Sequence, residues 1–214
     1  ITGFVNASPD DDGIVLSAVL TVSAPELYVD ESFGSLAAET YYLYCKNTGT
    51  AANNSTLDDN GRMWISYAGR PGDYEHISLS SLLDGSVDPR IFTDCIVLVG
   101  AYASGLQDQF SVPNSSDQMF GVEIHANIIQ GLLDGKCPVP ANRVLSALAA
   151  AAAAVLAYLI SKYSKVKIST PIIIVMTAAY IAAGVMLNGS GLTIPILYAP
   201  LFMVICYLVN LGRK

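Results

Sequence analysis

Three long runs without a charged residue close this chain, and they constrain it more than any other feature. Residues 144–160, 171–187 and 192–211 contain no Asp, Glu, Lys, Arg or His. A helix needs roughly 20 apolar residues to cross a bilayer, with a range of about 17–25. The three runs meet that length and predict three transmembrane helices in residues 141–214. The alternative, a set of buried helices in a soluble domain, needs more covering chain than 214 residues offer. The loop "KYSKVK" carries Lys162, Lys165 and Lys167, and the chain ends in "GRK", whereas the "NGSG" turn is uncharged. By the positive-inside rule, the lysine loop and the C-terminus are expected in the cytoplasm. Residues 1–140 and the NGSG turn are then expected outside it.

Charge divides the chain at the same place. All eighteen Asp and Glu precede residue 141, with only five Lys and Arg beside them, a net −13. Residues 141–214 hold six basic residues and no acidic one. Two such regions imply two environments. So acidic a first region lacks the basic footprint that nucleic-acid binding requires. The chain starts at Ile1, so export of residues 1–140 implies a membrane helix or signal upstream. Cys45, Cys95 and Cys137 form no C-x-x-C pair, which argues against a zinc site. Reduced cysteines are expected, with a bond between protomers through Cys137 as the alternative.

Local patterns suggest an α/β region. "DDDG" at 10–13 is a turn between two strands. Taken as a calcium loop from Ser8, it places Val19 where a bidentate Glu is required, which excludes an EF-hand. Residues 34–46 read as a helix and "RMWISYAG" as a strand with Met63, Ile65 and Tyr67 on one face. "SLSSLLDG" reads as a short helix ending at Gly85, and "CIVLVGA" as a strand buried on both faces. The irregular stretch from Tyr102 to Phe120 is long enough to suggest a functional loop. Gly100 and Gly105 have phosphate-loop spacing, but Leu106 and Gln107 stand where Lys and Ser or Thr are needed.

"GVEIHANIIQGLL" at 121–133 sets Glu123, His125 and Asn127 at alternate positions. A strand would gather them on one face. A helix places Glu123, Asn127, Gln130 and Asp134 on one polar stripe, with Val122, His125, Ile128, Ile129 and Leu132 opposite. Helix is the expected form, with His125 turned inward and Glu123 and Asn127 turned to solvent.

The ordered motifs resemble a known family. "I-x-Y-x-G" at Ile65–Gly69, "IS" at Ile77–Ser78, "IVLVGA" at Ile96–Ala101, Asp108, Pro113 and "GVEIHAN" at Gly121–Asn127 resemble the second type of CHASE domain, as does "DDDGIV" at Asp10–Val15. The resemblance covers most of residues 1–136. It implies an extracytoplasmic sensor of a bacterial receptor in the cell membrane, with three spans leading to a nucleotide cyclase, histidine kinase or Ser/Thr kinase. The expected architecture is a mixed sheet with flanking helices at 1–140, then the three-helix transmembrane region. The stimulus is an unidentified small molecule or envelope state. The other expected partners are membrane lipid and a second copy in a homodimer. No cofactor or metal is expected.

A ligand is expected where the long loop meets the start of the Gly121 helix, at Tyr102, Ser104, Asp108, Gly121, Glu123 and His125. A helix N-terminus there favours an anionic group. A second class of function is a membrane-tethered exported enzyme using Asp108, Glu123 and His125 as acid–base groups. A transporter is the third, and its spans lack the ionisable residue that ion-coupled pathways usually use.

Overall fold

The computed structural model describes residues 2–23, 32–53, 56–58, 60–103, 105–106, 108–113 and 115–212. Ser104, Arg213 and Lys214 lie outside them, so the expectations resting on these three residues have no structural counterpart. The chain divides into two compact units, Ile1–Cys137 and Pro138–Lys214.

The first unit is built on two helices packed together. Before them come β1 (Ser17–Val19), β2 (Thr21–Ser23) and β3 (Ser32–Gly34). Helix α1 (Leu36–Thr48) starts at Ser35, whose hydroxyl accepts a hydrogen bond from the Ala38 N–H, and ends at Gly49. Such a cap satisfies one of the N–H groups that a first turn leaves free. Strand β4 (Arg62–Trp64), helix α2 (Leu79–Leu83) and a 3-10 turn at Pro89–Phe92 follow. Then come β5 (Gln109–Phe110), β6 (Met119–Phe120) and α3 (Gly121–Asp134).

Ala37, Tyr41 and Cys45 of α1 bury against the same core as Ile124, Ile128, Ile129 and Leu132 of α3. Met63 and Ile65 enter that core from one face of the expected strand, and Tyr67 packs beside them. Its hydroxyl donates to the Val15 carbonyl at 2.8 Å.

The expected mixed sheet is not what these residues form. Among the described residues of this unit, strands occur as antiparallel pairs, β1 with β4, β2 with β3 and β5 with β6. Isolated bridges add Phe4 to Ser35 and Ile14 to Ser111. "CIVLVGA" is not a strand and is not buried on both faces. Ile96 and Leu98 pack against the core, whereas Val97 and Val99 stay exposed and, among the described residues, no strand pairs with the run. The loop from Tyr102 to Phe120 is partly ordered as the β5–β6 hairpin.

The second unit holds β7 (Val139–Pro140), α4 (Arg143–Tyr163), α5 (Val166–Gly189), β8 (Leu192–Thr193) and α6 (Tyr198–Leu211). Asn142 caps α4 by accepting from the N–H groups of Val144 and Leu145. At 1.5 Å per residue, α4 and α5 are about 32 and 36 Å long, enough for a hydrocarbon core of about 30 Å. The third run differs from expectation. Its first residues pair with Val139–Pro140 in a parallel β7–β8 ladder, and Pro195 lacks the N–H a helix needs. The helix therefore begins only at Tyr198 and spans about 21 Å.

Ala157, Ile173 and Met203 form the centre of this bundle. Polar side chains join its helices. Asn210 donates to the Ser161 hydroxyl at 2.8 Å, and Thr170 and Tyr207 share a 2.6 Å hydrogen bond.

Candidate functional site

Residues 121–134 do form a helix, and the first half of its polar stripe faces the protein rather than water. Glu123 and Asn127 are 4% and 0% exposed. The expectation that they point to solvent is thus overturned, while Asp134 at the end of the stripe is exposed. The cause is the loop Ala68–Asp73, which lies over this face and brings its own N–H groups. Glu123 accepts from Gly72 N–H at 2.8 Å with one carboxylate oxygen and from Phe120 N–H at 3.3 Å with the other. Asn127 accepts from Ala68 N–H at 2.9 Å and donates to the Glu123 carbonyl at 2.9 Å. Sequence periodicity reads polarity as exposure; here polarity meets backbone polarity, which must be satisfied when buried.

His125 lies on the other side of the helix, buried as expected. Its Nε2 lies 3.3 Å from the Val5 carbonyl, which ties the N-terminal segment to α3. Its Nδ1 is buried without a hydrogen-bond partner among the described residues. Burial lowers the His125 pKa below its ordinary value, against opposing effects of the Val5 carbonyl and the Asp108 charge. The imidazole is therefore held neutral.

Asp108 and Gly121 meet at the first turn of α3. Gly121 N–H donates to the Asp108 carbonyl at 3.0 Å. A Cβ on residue 121 would sit 2.5 Å from Asp108 Oδ1, so any other residue would push the Asp108 carboxylate from this place. Two carboxylates, Asp108 and Glu123, thus occupy the positive end of α3, where the helix dipole favours them.

Tyr102 stacks between His76, with ring centroids 4.6 Å apart, and Phe120, at 4.2 Å. Burial and the Glu123 charge raise its pKa. Tyr74 keeps a buried hydroxyl without a partner among the described residues, and burial raises its pKa, with Asp134 and Glu123 adding to the shift. His76, Tyr74 and Gly72 belong to "RPGDYEH", which reads in sequence as a turn alone. Its two aromatic residues were the only hint of a role beyond that.

This geometry gathers Tyr102, Asp108, Gly121 and Glu123 around one end of α3 and gives His125 separate partners on the opposite face. Glu123 has both oxygens engaged by backbone N–H groups. The arrangement holds loops to a helix.

The CHASE2 domain model matches residues 1–163, from the N-terminal segment through the end of α4. The chain belongs to the CHASE2 domain family. CHASE2 domains are sensor domains of signalling proteins, which supports the expected sensing role of this segment. No curated protein and no solved structure matches the chain. In this CHASE2 chain, "GVEIHAN" is the helix that anchors loops from both of its faces. The family match also runs through the first of the two helices long and apolar enough to cross a membrane.

Proposed function

We propose that the chain is the extracytoplasmic sensor and transmembrane relay of a membrane receptor that controls a cytoplasmic cyclase or kinase. The observation that carries this reading is the extent of the family match, residues 1–163, which covers the first unit and continues through helix α4. α4, α5 and the shorter α6 serve as the three spans, and α6 leads toward the output domain. Its 14 residues are short for the bilayer, a mismatch met by local thinning or by Tyr198 at its first position anchoring at the interface. A stimulus that binds one packing of the domain better than another shifts the population of the bundle.

The ligand contacts proposed are Tyr102, Ser104, Asp108, Gly121 and Glu123, with His76 added by the aromatic stack, while His125 on the opposite face of α3 holds the Val5 segment. The two carboxylates at the α3 N-terminus change the expected ligand from an anionic group to one that donates hydrogen bonds or carries positive charge. Homodimerisation and contact with membrane lipid belong to the same reading.

Topology reporters test the relay. A reporter fused after Lys214 should be active only in the cytoplasm, and one placed in the NGSG turn only outside. Activity outside the cytoplasm for the Lys214 fusion overturns the arrangement. Asp108→Asn should weaken binding of a cationic effector while the domain stays folded; unchanged affinity removes Asp108 from the site.

A further inference from the structure

Only one side of the His125 ring is bonded, although the residue is 6% exposed. Its Nε2 lies 3.3 Å from the Val5 carbonyl. A carbonyl only accepts, so Nε2 carries the hydrogen of the neutral ring and Nδ1 carries the lone pair. That lone pair is buried and meets no donor among the described residues.

A carboxylate stands one helical turn away. His125 follows Gly121 by four residues, so the two positions are neighbours on one side of α3, with Cβ sites roughly 5–6 Å apart. Gly121 has no side chain, and the Asp108 carboxylate fills its place. A Cβ there would lie 2.5 Å from Asp108 Oδ1 and 2.9 Å from the carboxylate carbon. Helical side chains lean toward the N-terminus, which turns the imidazole toward this carboxylate. No ion pair joins the two among the described residues. Two acceptors thus face each other, and one proton between them would satisfy both.

Asp108 is also the charged group that acts on the ring. Among the described residues, Asp10, Asp11 and Asp12 of the N-terminal segment, Glu39 and Lys46 of α1, Glu123 and Asp134 of α3 and Asp117 of the β5–β6 turn do not.

We propose that His125 and Asp108 form a proton-operated clasp, in which one proton from solvent adds to Nδ1 and the Asp108 carboxylate moves from its place beside Gly121 to accept the new N–H. The bond to Val5 survives, because Nε2 keeps its hydrogen throughout. A neutral ring beside a free carboxylate becomes a charge-assisted pair, which ties the start of the β5–β6 hairpin more firmly to α3. Burial keeps the ring neutral near pH 7, so the clasp closes only in acid. That acid is a stimulus of the receptor rests on the sensor function proposed above; the clasp itself does not.

The test follows both ring nitrogens of His125 by NMR in the full chain, held in nanodiscs, from about pH 7.5 to about pH 4.5. Loss of its signals in His125→Gln distinguishes them from those of His76. Nε2 should stay protonated while Nδ1 passes from bare to protonated. The Gly121 amide, bonded to the Asp108 carbonyl at 3.0 Å, should shift with the same midpoint. Asp108→Asn should bind the proton at least about tenfold more weakly and lose the Gly121 response. Asp117→Asn removes an equal charge from the exposed turn of the same hairpin and should stay within about threefold of the parent. Exchange protection of α1 amides reports that the domain remains folded.

Equal proton affinity in the parent and Asp108→Asn overturns the clasp. So does protonation of His125 only after α1 protection is lost. A Gly121 amide in the parent that ignores the ring's titration overturns it too, and that readout decides the matter even where Asp108→Asn does not fold. The relay stands or falls separately, on its topology reporters.

Discussion

Replacing Asn127 by Ala tests whether the buried face of α3 holds the loop above it. The side chain is fully buried and accepts from Ala68 N–H at 2.9 Å. It also lies 3.5 Å from Gly69 N–H, and its amide donates to the Glu123 carbonyl at 2.9 Å. Alanine leaves the Ala68 N–H without an acceptor, which costs about 1–3 kcal/mol. The void left by the missing amide adds about 1 kcal/mol. The sum, about 2–4 kcal/mol, is a large share of a domain stability of about 5–15 kcal/mol. Expressed as local opening, it predicts exchange about 30- to 1,000-fold faster at Ala68 and Gly69. Hydrogen exchange of the full chain reads these amides directly, with α1 as the internal reference. Asn127→Asp keeps the acceptor but turns a carboxylate oxygen toward the Glu123 carbonyl, so it should protect the loop less than Asn does. Exchange within about threefold of the parent would refute the loop-holding role.

Three further outcomes follow from the same geometry. Glu123→Gln replaces one of two acceptors by an NH2 group facing an N–H, and should cost about 1–3 kcal/mol in urea unfolding; an unchanged midpoint would mean that the Gly72 and Phe120 bonds carry no stability. For His125, burial lowers the folded pKa below 6.5, so the unfolded chain binds the proton first as pH falls. Stability is then full above about pH 6.5 and declines as pH falls toward the folded pKa. His125→Phe should remove that decline, and equal slopes in parent and variant between pH 7 and 5 would contradict the assignment. In the bundle, Asn210→Leu removes bonds to Ser161 and to the Tyr158 carbonyl. It should loosen the α4–α6 contact by about 0.6–1.7 kcal/mol, read as faster disulfide trapping between cysteines placed on the two helices.

Local sequence carried the elements whose cause is local. The Ser35 cap and Gly49 bound α1, the Asp12–Gly13 turn forms with Ile14 N–H on the Asp12 carboxylate, and residues 121–134 are helical as their spacing implies. The long uncharged runs become α4 and α5 because length and apolarity need no partner to be recognised. The motif series likewise marked the CHASE2 family before any fold was known.

What chain neighbours alone cannot fix is which face of an element becomes covered. Glu123 and Asn127 of the polar stripe of α3 point inward because the Ala68–Asp73 loop, some fifty residues earlier, brings unsatisfied N–H groups to them. "CIVLVGA" is apolar enough for a buried strand, yet a ladder requires a second strand, and its edge stays open among the described residues. The third apolar run loses its first turns because Leu192–Thr193 finds backbone partners in Val139–Pro140. Sequence determined the membrane-length helices, the acidic sensor and the family. Tertiary structure decided the exposure of Glu123 and Asn127, the pairing of strands and the length of α6, because each depends on hydrogen-bond partners distant in the chain.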